Sequence, residues 1–287
     1  MNSCDLLIFG CGYLGRCVAD RYLARGAAVS VVTRSEVKAR ELAGLGIAPV
    51  VADLLQPPTL RLLPRARSIL YCVGYDRESS CTKRDLYVQG LRNVLSATRG
   101  LADGFVYISS TSVYGQDDGS WVDEASPTEP ITEGGEICRD AEHLFADPAL
   151  APKTWTILRL AGLYGPGRLI ARVEGLKASS PVGGNPEAWL NLIHRDDAVT
   201  ICERTLDGLV PSATFLVCDD RPITRQEYYR TLALRIGAPE PIFSESVPTR
   251  QGTTGWNKRC SSQRIKQQYQ VEWRYPTIDV GLPSALE

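Results

Sequence analysis

A chain of 287 residues, 44% of them hydrophobic, is long enough for one large α/β domain, or a main domain with a smaller appendage, and for a sizeable core. Its 32 basic and 33 acidic residues leave a formal net charge of −1, which offers no long-range field for nucleic acid or an anionic membrane, so a small-molecule partner is expected. Nine cysteines, an odd count with no CxxC pair and with several inside apolar runs, point to buried free thiols, a reducing cytoplasm and no metal site. The N-terminal apolar run lacks a basic segment and is too short for a signal peptide, and no stretch reaches the length of a membrane span.

The opening run Leu6-Leu7-Ile8-Phe9 predicts a short buried strand. It leads without a spacer into Gly10-Cys11-Gly12-Tyr13-Leu14-Gly15, three glycines at the spacing GxGxxG, and a helix is expected over 13–25 with Gly26 as its stop. This is how a dinucleotide site begins. Gly10 allows the turn out of the strand, Gly12 lets a pyrophosphate approach bare backbone, and Gly15 lets the helix pack closely on the sheet. The phosphates then face the helix N-terminus, where unpaired N–H groups and the helix dipole favour an anion.

Further strands are expected over 28–33, 48–52 and 68–73, with a helix over 36–43 between the first two, and such alternation favours a parallel, doubly wound sheet. Strand two ends at Thr33-Arg34-Ser35, where an acidic residue would take the ribose 2′-hydroxyl of NAD. No acid stands there. Arg34 and Ser35 suit the 2′-phosphate of NADP, which is therefore favoured over NAD; the plain alternative is a solvated arginine at a strand end. Asp53, after strand three, either reaches the adenine edge or shapes the turn that Leu-Leu-Gln-Pro-Pro continues.

A helix is expected over 82–97, turning Leu86, Leu91, Val94 and Leu95 to the sheet, with close packing as the reason for Gly90 within it. Strand five, over 105–108, runs into Ser109-Ser110-Thr111-Ser112-Val113-Tyr114-Gly115, which places hydroxyls at the carboxyl end of the sheet, where ligands of open α/β folds bind. A hydroxyl-rich loop satisfying its own backbone is the competing reading.

Five motifs now stand in one order: Gly10-x-Gly12-x-x-Gly15, the segment Ile108 to Gly115, Asp123-Glu124-x-Ser126-Pro127, Leu158-Arg159-Leu160-x-x-Leu163-Tyr164-Gly165-Pro166-Gly167, and Leu192-Ile193-His194-Arg195-Asp196-Asp197. In these the chain resembles the extended short-chain dehydrogenase/reductases, the NAD-dependent epimerase/dehydratase family. The resemblance implies a Rossmann-like domain over 1–165, with 190–220 returning to it, and a smaller substrate-binding region over 166–287. It also implies a bound nicotinamide cofactor, often a nucleotide-sugar substrate, and often a homodimer. Ser110 takes the place of the family's catalytic serine or threonine, with Thr111 beside it.

The chain departs from the family at the tyrosine and lysine that act as its acid/base pair. Counted back from Ala141-Glu142, Gly134 stands at the tyrosine position and Cys138 at the lysine position. Glycine has no side chain to titrate. Glu133 and Glu136 are candidate substitutes, although a carboxylate at a helix start is ordinarily a dipole partner. Tyr114 reads as a packing residue, Tyr164 as part of the pocket floor, and His194 as structural. Asp197 is expected to cap a helix over 198–206.

Beyond Pro166 an amphipathic helix is expected over 168–179 and strands over 189–193 and 213–218. A helix over 224–236 and an extended loop over 239–254 follow. Arg168, Arg172 and Asn191 are candidates for substrate phosphates or hydroxyls, solvated side chains being the default. Three functional classes fit these features. The first is an NAD(P)-dependent enzyme on a nucleotide-sugar-like or other hydroxylated substrate, with a non-standard acid/base site. The second is a catalytically silent NAD(P)-binding regulatory or redox-sensing protein, and the third a scaffold, which the intact glycines disfavour.

Overall fold

The structure, a computed structural model, describes residues 3–76, 78–244, 246–247 and 256–287. The chain divides into two compact units, one made of Met1–Ser109, Ile137–Leu158 and Val199–Thr214, the other of Ser110–Glu136, Arg159–Ala198 and Phe215–Glu287.

Apolar runs and glycine punctuation set the elements of the first half: β1 (Ser3–Phe9), α1 (Tyr13–Ala24), β2 (Val29–Thr33), α2 (Glu36–Gly44), β3 (Ala48–Val51), β4 (Arg65–Tyr71), α3 (Leu91–Ala97) and β5 (Ala102–Ser110). There follow β6 (Trp121–Val122), α4 (Glu133–His143), β7 (Trp155–Leu160), β8 (Gly162–Tyr164), α5 (Ile170–Lys177), β9 (Trp189–Leu190), β10 (Leu192–His194), α6 (Arg195–Asp207), β11 (Ala213–Val217), β12 (Ile223–Thr224), α7 (Arg225–Ile236), β13 (Arg259–Cys260), α8 (Gln263–Tyr269) and α9 (Ile278–Ala285). Seven strands form one sheet in the order β11-β7-β5-β4-β1-β2-β3. β1 pairs in parallel with β2 and β4, as does β2 with β3 and β4 with β5. This is the Rossmann-like, doubly wound α/β fold. Leu6 to Phe9 are all fully buried, as a strand covered on both faces requires. Phe9, Tyr71 and Phe105 stack along one side of the sheet at centroid distances of 5.9 and 6.3 Å, in one core with Leu91, Val94 and Leu95 of α3.

Gly26 ends α1 as expected. Its φ is +79°, and the amides of Gly26 and Ala27 donate back to Leu23 and Tyr22.

Several boundaries differ from expectation for visible reasons. β4 runs from Arg65 to Tyr71, because Ala66 already pairs with Ala102 and Cys4. The helix expected over 82–97 opens as a π-helical turn, Asp85–Gly90. A Cβ on Gly90 would meet Leu54 Cβ at 3.4 Å, an ordinary contact, so packing does not demand glycine there. Asp197 lies inside α6 and caps nothing; its carboxylate accepts the amides of Arg274 and Tyr275 at 2.8 and 2.9 Å. The run expected as one strand over 189–193 is split at Asn191, since β9 pairs antiparallel with β12 and β10 in parallel with β8. The expected division near residue 165 is also moved. Ser110–Glu136 belongs with the later segments of the chain, where β6 pairs in parallel with β13.

The second unit has its own apolar core, in which Tyr164, Leu169 and Leu176 meet Tyr228 and Leu232 of α7 and Ile278 and Leu282 of α9. Of the loop expected over 239–254, residues 245 and 248–254 lie outside the described residues; Phe243 forms a parallel bridge with Val182. All nine cysteines are free thiols, with Cys138, Cys202, Cys218 and Cys260 buried. Among the described residues no helix is long and apolar enough to cross a membrane.

Candidate functional site

In the first unit the glycine loop has the geometry that its spacing predicts. Gly10 takes φ +96°, and a Cβ there would lie 2.6 Å from the Cys72 backbone. A Cβ on Gly15 would lie 2.2 Å from the carbonyl oxygen of Gly10, so the helix sits as close to the turn as glycine permits. Gly12 is different. A Cβ there would meet nothing within 4 Å, so its lack of a side chain leaves open space beside the helix start. Gly12 is the N-cap of α1, makes no side-chain cap, and no acid stands in the first turn. The orphan amides and the positive end of the dipole are left for an external anion. Residues 10–15 therefore fit a dinucleotide pyrophosphate.

At the end of β2, Arg34 and Ser35 are both exposed. Ser35 caps α2, its Oγ accepting from the amide of Lys38 at 3.2 Å, while its own amide donates to Thr33 Oγ1. Asp53 shapes its turn: Oδ1 accepts from the amide of Leu55 at 2.9 Å, and Thr59 Oγ1 accepts from the Asp53 amide at 3.0 Å.

In the second unit lies a cavity of about 670 Å³. Ser110 and Thr111 line it. Ser109, one residue earlier on β5, instead donates to the buried carboxylate of Glu142 at 2.6 Å, the opposite-face alternation of a strand. Ser110 Oγ accepts from the amide of Ser112 at 3.1 Å, which fixes the hydroxyl at the start of a short 3₁₀ turn.

Cations and aromatic rings complete the wall: Arg172, Arg225, Lys258, Trp189, Tyr229 and Trp256. Arg225 donates from Nη2 to the carbonyl of Gly183 at 2.5 Å and lies 5.8 Å from the Tyr229 ring. Its Nε is buried without a partner among the described residues. The Arg172 guanidinium stands 5.7 Å from the Tyr228 ring. Lys258 Nζ donates to the carbonyl oxygen of Tyr114 at 2.8 Å, and burial pushes its pKa below the usual lysine range. Asn191 also lines the cavity, but its amide is engaged by the backbone of β13 and the residue before it.

The other candidates stand elsewhere. Glu133 and Glu136 are exposed on α4, Arg168 is exposed, and none of the three lines the cavity. α4 contains Gly134 and a buried Cys138, and neither a tyrosine nor a lysine. Tyr114 is fully buried with its hydroxyl accepting from Arg159 at 2.8 Å, and burial raises its pKa. His194 is fully buried between Tyr164 and Tyr275, at ring distances of 5.1 and 3.9 Å, and does not line the cavity. Sequence reasoning passed over Lys258, Arg225, Trp189, Tyr229 and Trp256. The dense run Trp256-Asn257-Lys258-Arg259 after a long polar loop was the available signal.

Comparison with known proteins places this geometry in context. The family described as NAD dependent epimerase/dehydratase matches residues 6–215. Protein YeeZ of Escherichia coli K12 is 28% identical over 275 residues, covering 94% of this chain and 95% of its own. A solved structure from Methylobacillus flagellatus, provisionally named an NAD-dependent epimerase/dehydratase, is 31% identical at a TM-score of 0.78, covering 98% of this chain and 97% of its own. The Bordetella bronchiseptica enzyme WbmG, solved with NAD and UDP, shares the fold at a TM-score of 0.81 and 17% identity, covering 99% of this chain and 94% of its own.

Proposed function

The chain belongs to the NAD dependent epimerase/dehydratase family, and from that premise we propose that it is an NAD(P)-dependent enzyme acting on a hydroxylated, phosphate-bearing small molecule of the nucleotide-sugar class. The observation that carries the reading is the cavity of the second unit, where the hydroxyls of Ser110 and Thr111 share a wall with Arg172, Arg225 and Lys258. Guanidinium groups are suited to diphosphate oxygens, and the buried Nε of Arg225, without a partner among the described residues, is a donor open to a substrate acceptor. Trp189, Tyr229 and Trp256 offer ring faces for a base or a sugar. Ser110 holds the substrate hydroxyl, with Thr111 beside it.

The cofactor is held by residues 10–15, with its pyrophosphate over Gly12. When bound, the nicotinamide supplies a hydride acceptor. Arg34, exposed at the end of β2 with no acid beside it, favours NADP through the 2′-phosphate. The free thiols favour a reducing, cytoplasmic setting.

Calorimetry with NAD⁺ and NADP⁺, followed by absorbance at 340 nm with UDP-glucose, UDP-galactose and dTDP-glucose, tests the reading. It expects micromolar cofactor binding and turnover on at least one sugar. Failure of both cofactors to bind sinks it. One observation favours a second reading, a silent NAD(P)-binding protein: α4 contains neither tyrosine nor lysine. Binding of cofactor with no reduction on any sugar would favour that one.

A further inference from the structure

The cavity wall holds one group whose presence there requires an explanation. Of six lysines in the chain, Lys258 alone is buried, at 4% exposure. Its ammonium makes one hydrogen bond, to the Tyr114 carbonyl at 2.8 Å, and no carboxylate pairs with it among the described residues. An ammonium has three donors, and burying one without a counter-ion is costly unless the donors are used. The chain nonetheless fixes it firmly. Asn191 grips the Lys258 carbonyl and the Cys260 amide, Asn257 Oδ1 accepts from the amide of Trp189 at 3.1 Å, and Arg259 Nε donates to the carbonyl of Gly119 at 2.8 Å.

On the reading of this cavity as the site of a hydroxylated substrate, we propose that Lys258 is the group that exchanges a proton with the substrate oxygen, replacing the tyrosine that Gly134 displaces. The neutral amine takes the proton of the substrate hydroxyl: the O–H bond breaks and an N–H bond forms. A bound oxidised nicotinamide would supply the acceptor for the hydride that the carbinol carbon must lose as the carbinol becomes a carbonyl. In the reverse direction the ammonium returns its proton to the carbonyl oxygen.

The other titratable groups of the wall do not suit this role. Arg172 and Arg225 stay charged, Asp117 is exposed, and burial drives the Tyr228 phenol upward, away from neutrality. Tyr229 also lines the cavity, its phenol engaged by the Arg172 guanidinium, and Cys260, two residues after Lys258, has a thiol that burial pushes up to about 12. Burial lowers the lysine, which brings its neutral form closer to working pH.

The six lysines give few enough signals for ¹³Cε-lysine NMR of the whole chain. The signal lost in Lys258→Met, or in Lys258→Arg if the methionine variant does not fold, should titrate at lower pH than the other five and move when UDP-glucose is added. With UDP-glucose and NAD(P)⁺, kcat should fall by about a hundredfold or more in Lys258→Arg, with a much smaller change in KM and loss of the basic-group limb of the pH profile. UDP-glucose binding that leaves the Lys258 signal still, turnover of Lys258→Arg at the wild-type rate, or binding without turnover would each overturn the lysine's role while leaving the cavity a sugar site. Absence of calorimetric binding for UDP-glucose, UDP-galactose and dTDP-glucose alike would overturn the substrate reading itself, and the proposal with it.

Discussion

Asn191 brackets Lys258: its Nδ2 donates to the Lys258 carbonyl oxygen at 2.8 Å, and its Oδ1 accepts from the amide of Cys260 at 2.7 Å. One side chain thus satisfies a backbone acceptor and a backbone donor, both at residues that are themselves buried. Truncation would strand both groups. Asn191→Ala should destabilise the protein by about 1–3 kcal/mol, the scale of leaving buried polar groups unsatisfied, and Asn191→Asp should recover only the Cys260 contact. Urea unfolding of the three proteins checks this; equal midpoints would show that the bracket carries no stability.

Gly12 is the position at which binding should separate from folding. Because a Cβ there meets nothing within 4 Å, Gly12→Val should leave the melting temperature close to that of the parent while removing NAD(P)H binding measured by fluorescence or calorimetry. Gly15→Ala should lower the melting temperature instead, since its Cβ would sit 2.2 Å from the Gly10 carbonyl oxygen and the helix must shift. A Gly12→Val protein that binds with parent affinity would remove residues 10–15 from the cofactor site.

What the sequence made legible is local. A run such as Leu6 to Phe9 declares a buried strand through its own composition, and Gly26 declares a helix end through a conformation that other residues resist. Ser110 was legible because a strand end and a motif coincide at it. Lys258 was not, because what matters about it is a hydrogen bond to Tyr114, 144 residues away, and burial that only the folded chain creates. Asp197 failed as a predicted cap for the same reason. Its position before an apolar helix fits a cap, but the amides of Arg274 and Tyr275, far along the chain, claim both oxygens. Glu133 and Glu136 mislead in the opposite sense: their place at the start of α4 is suggestive, and both are exposed.

The proposed preference for NADP rests on Arg34. Removing an exposed guanidinium that reads a 2′-phosphate should weaken NADP by about 1–3 kcal/mol, the scale of a charge-assisted bond, and leave NAD nearly unchanged. Isothermal titration of Arg34→Ala with both cofactors measures the difference. Equal losses would show that Arg34 does not recognise the extra phosphate.

Two buried groups of the second unit give stability a defined pH dependence. Burial lowers His194 to about 4 and raises Asp219 to about 8. Between pH 4 and 6.5 the unfolded chain binds the histidine proton and the folded one does not, so His194 makes stability rise with pH. Over the same interval the folded chain keeps the Asp219 proton that the unfolded one has lost, which makes stability fall. The two nearly cancel up to pH 6.5, and from there to about 8 the Asp219 slope stands alone, at no more than about 1.4 kcal/mol per pH unit. Asp197, also raised by burial, adds to the fall. Asp219→Asn should therefore show stability rising to about pH 6.5 and declining less above it. Chemical denaturation from pH 5 to 8.5 reads both curves, and parallel curves would mean that Asp219 is ionised in the folded state.

Catalysis should follow the cavity wall rather than the start of α4. Glu133 and Glu136 are exposed and line no part of the cavity, so Glu133→Gln with Glu136→Gln should leave kcat and its pH profile as they are. Ser110 faces the cavity with a hydroxyl already fixed by the Ser112 amide. Losing one neutral hydrogen bond of about 0.5–1.5 kcal/mol to the substrate in Ser110→Ala should lower kcat/KM by roughly two- to tenfold. Cofactor affinity should be unchanged, because the glycine loop is untouched. A pH profile that shifts in the double glutamine variant, together with an unaltered Ser110→Ala enzyme, would return the acid/base role to α4 and remove the hydroxyl from the site.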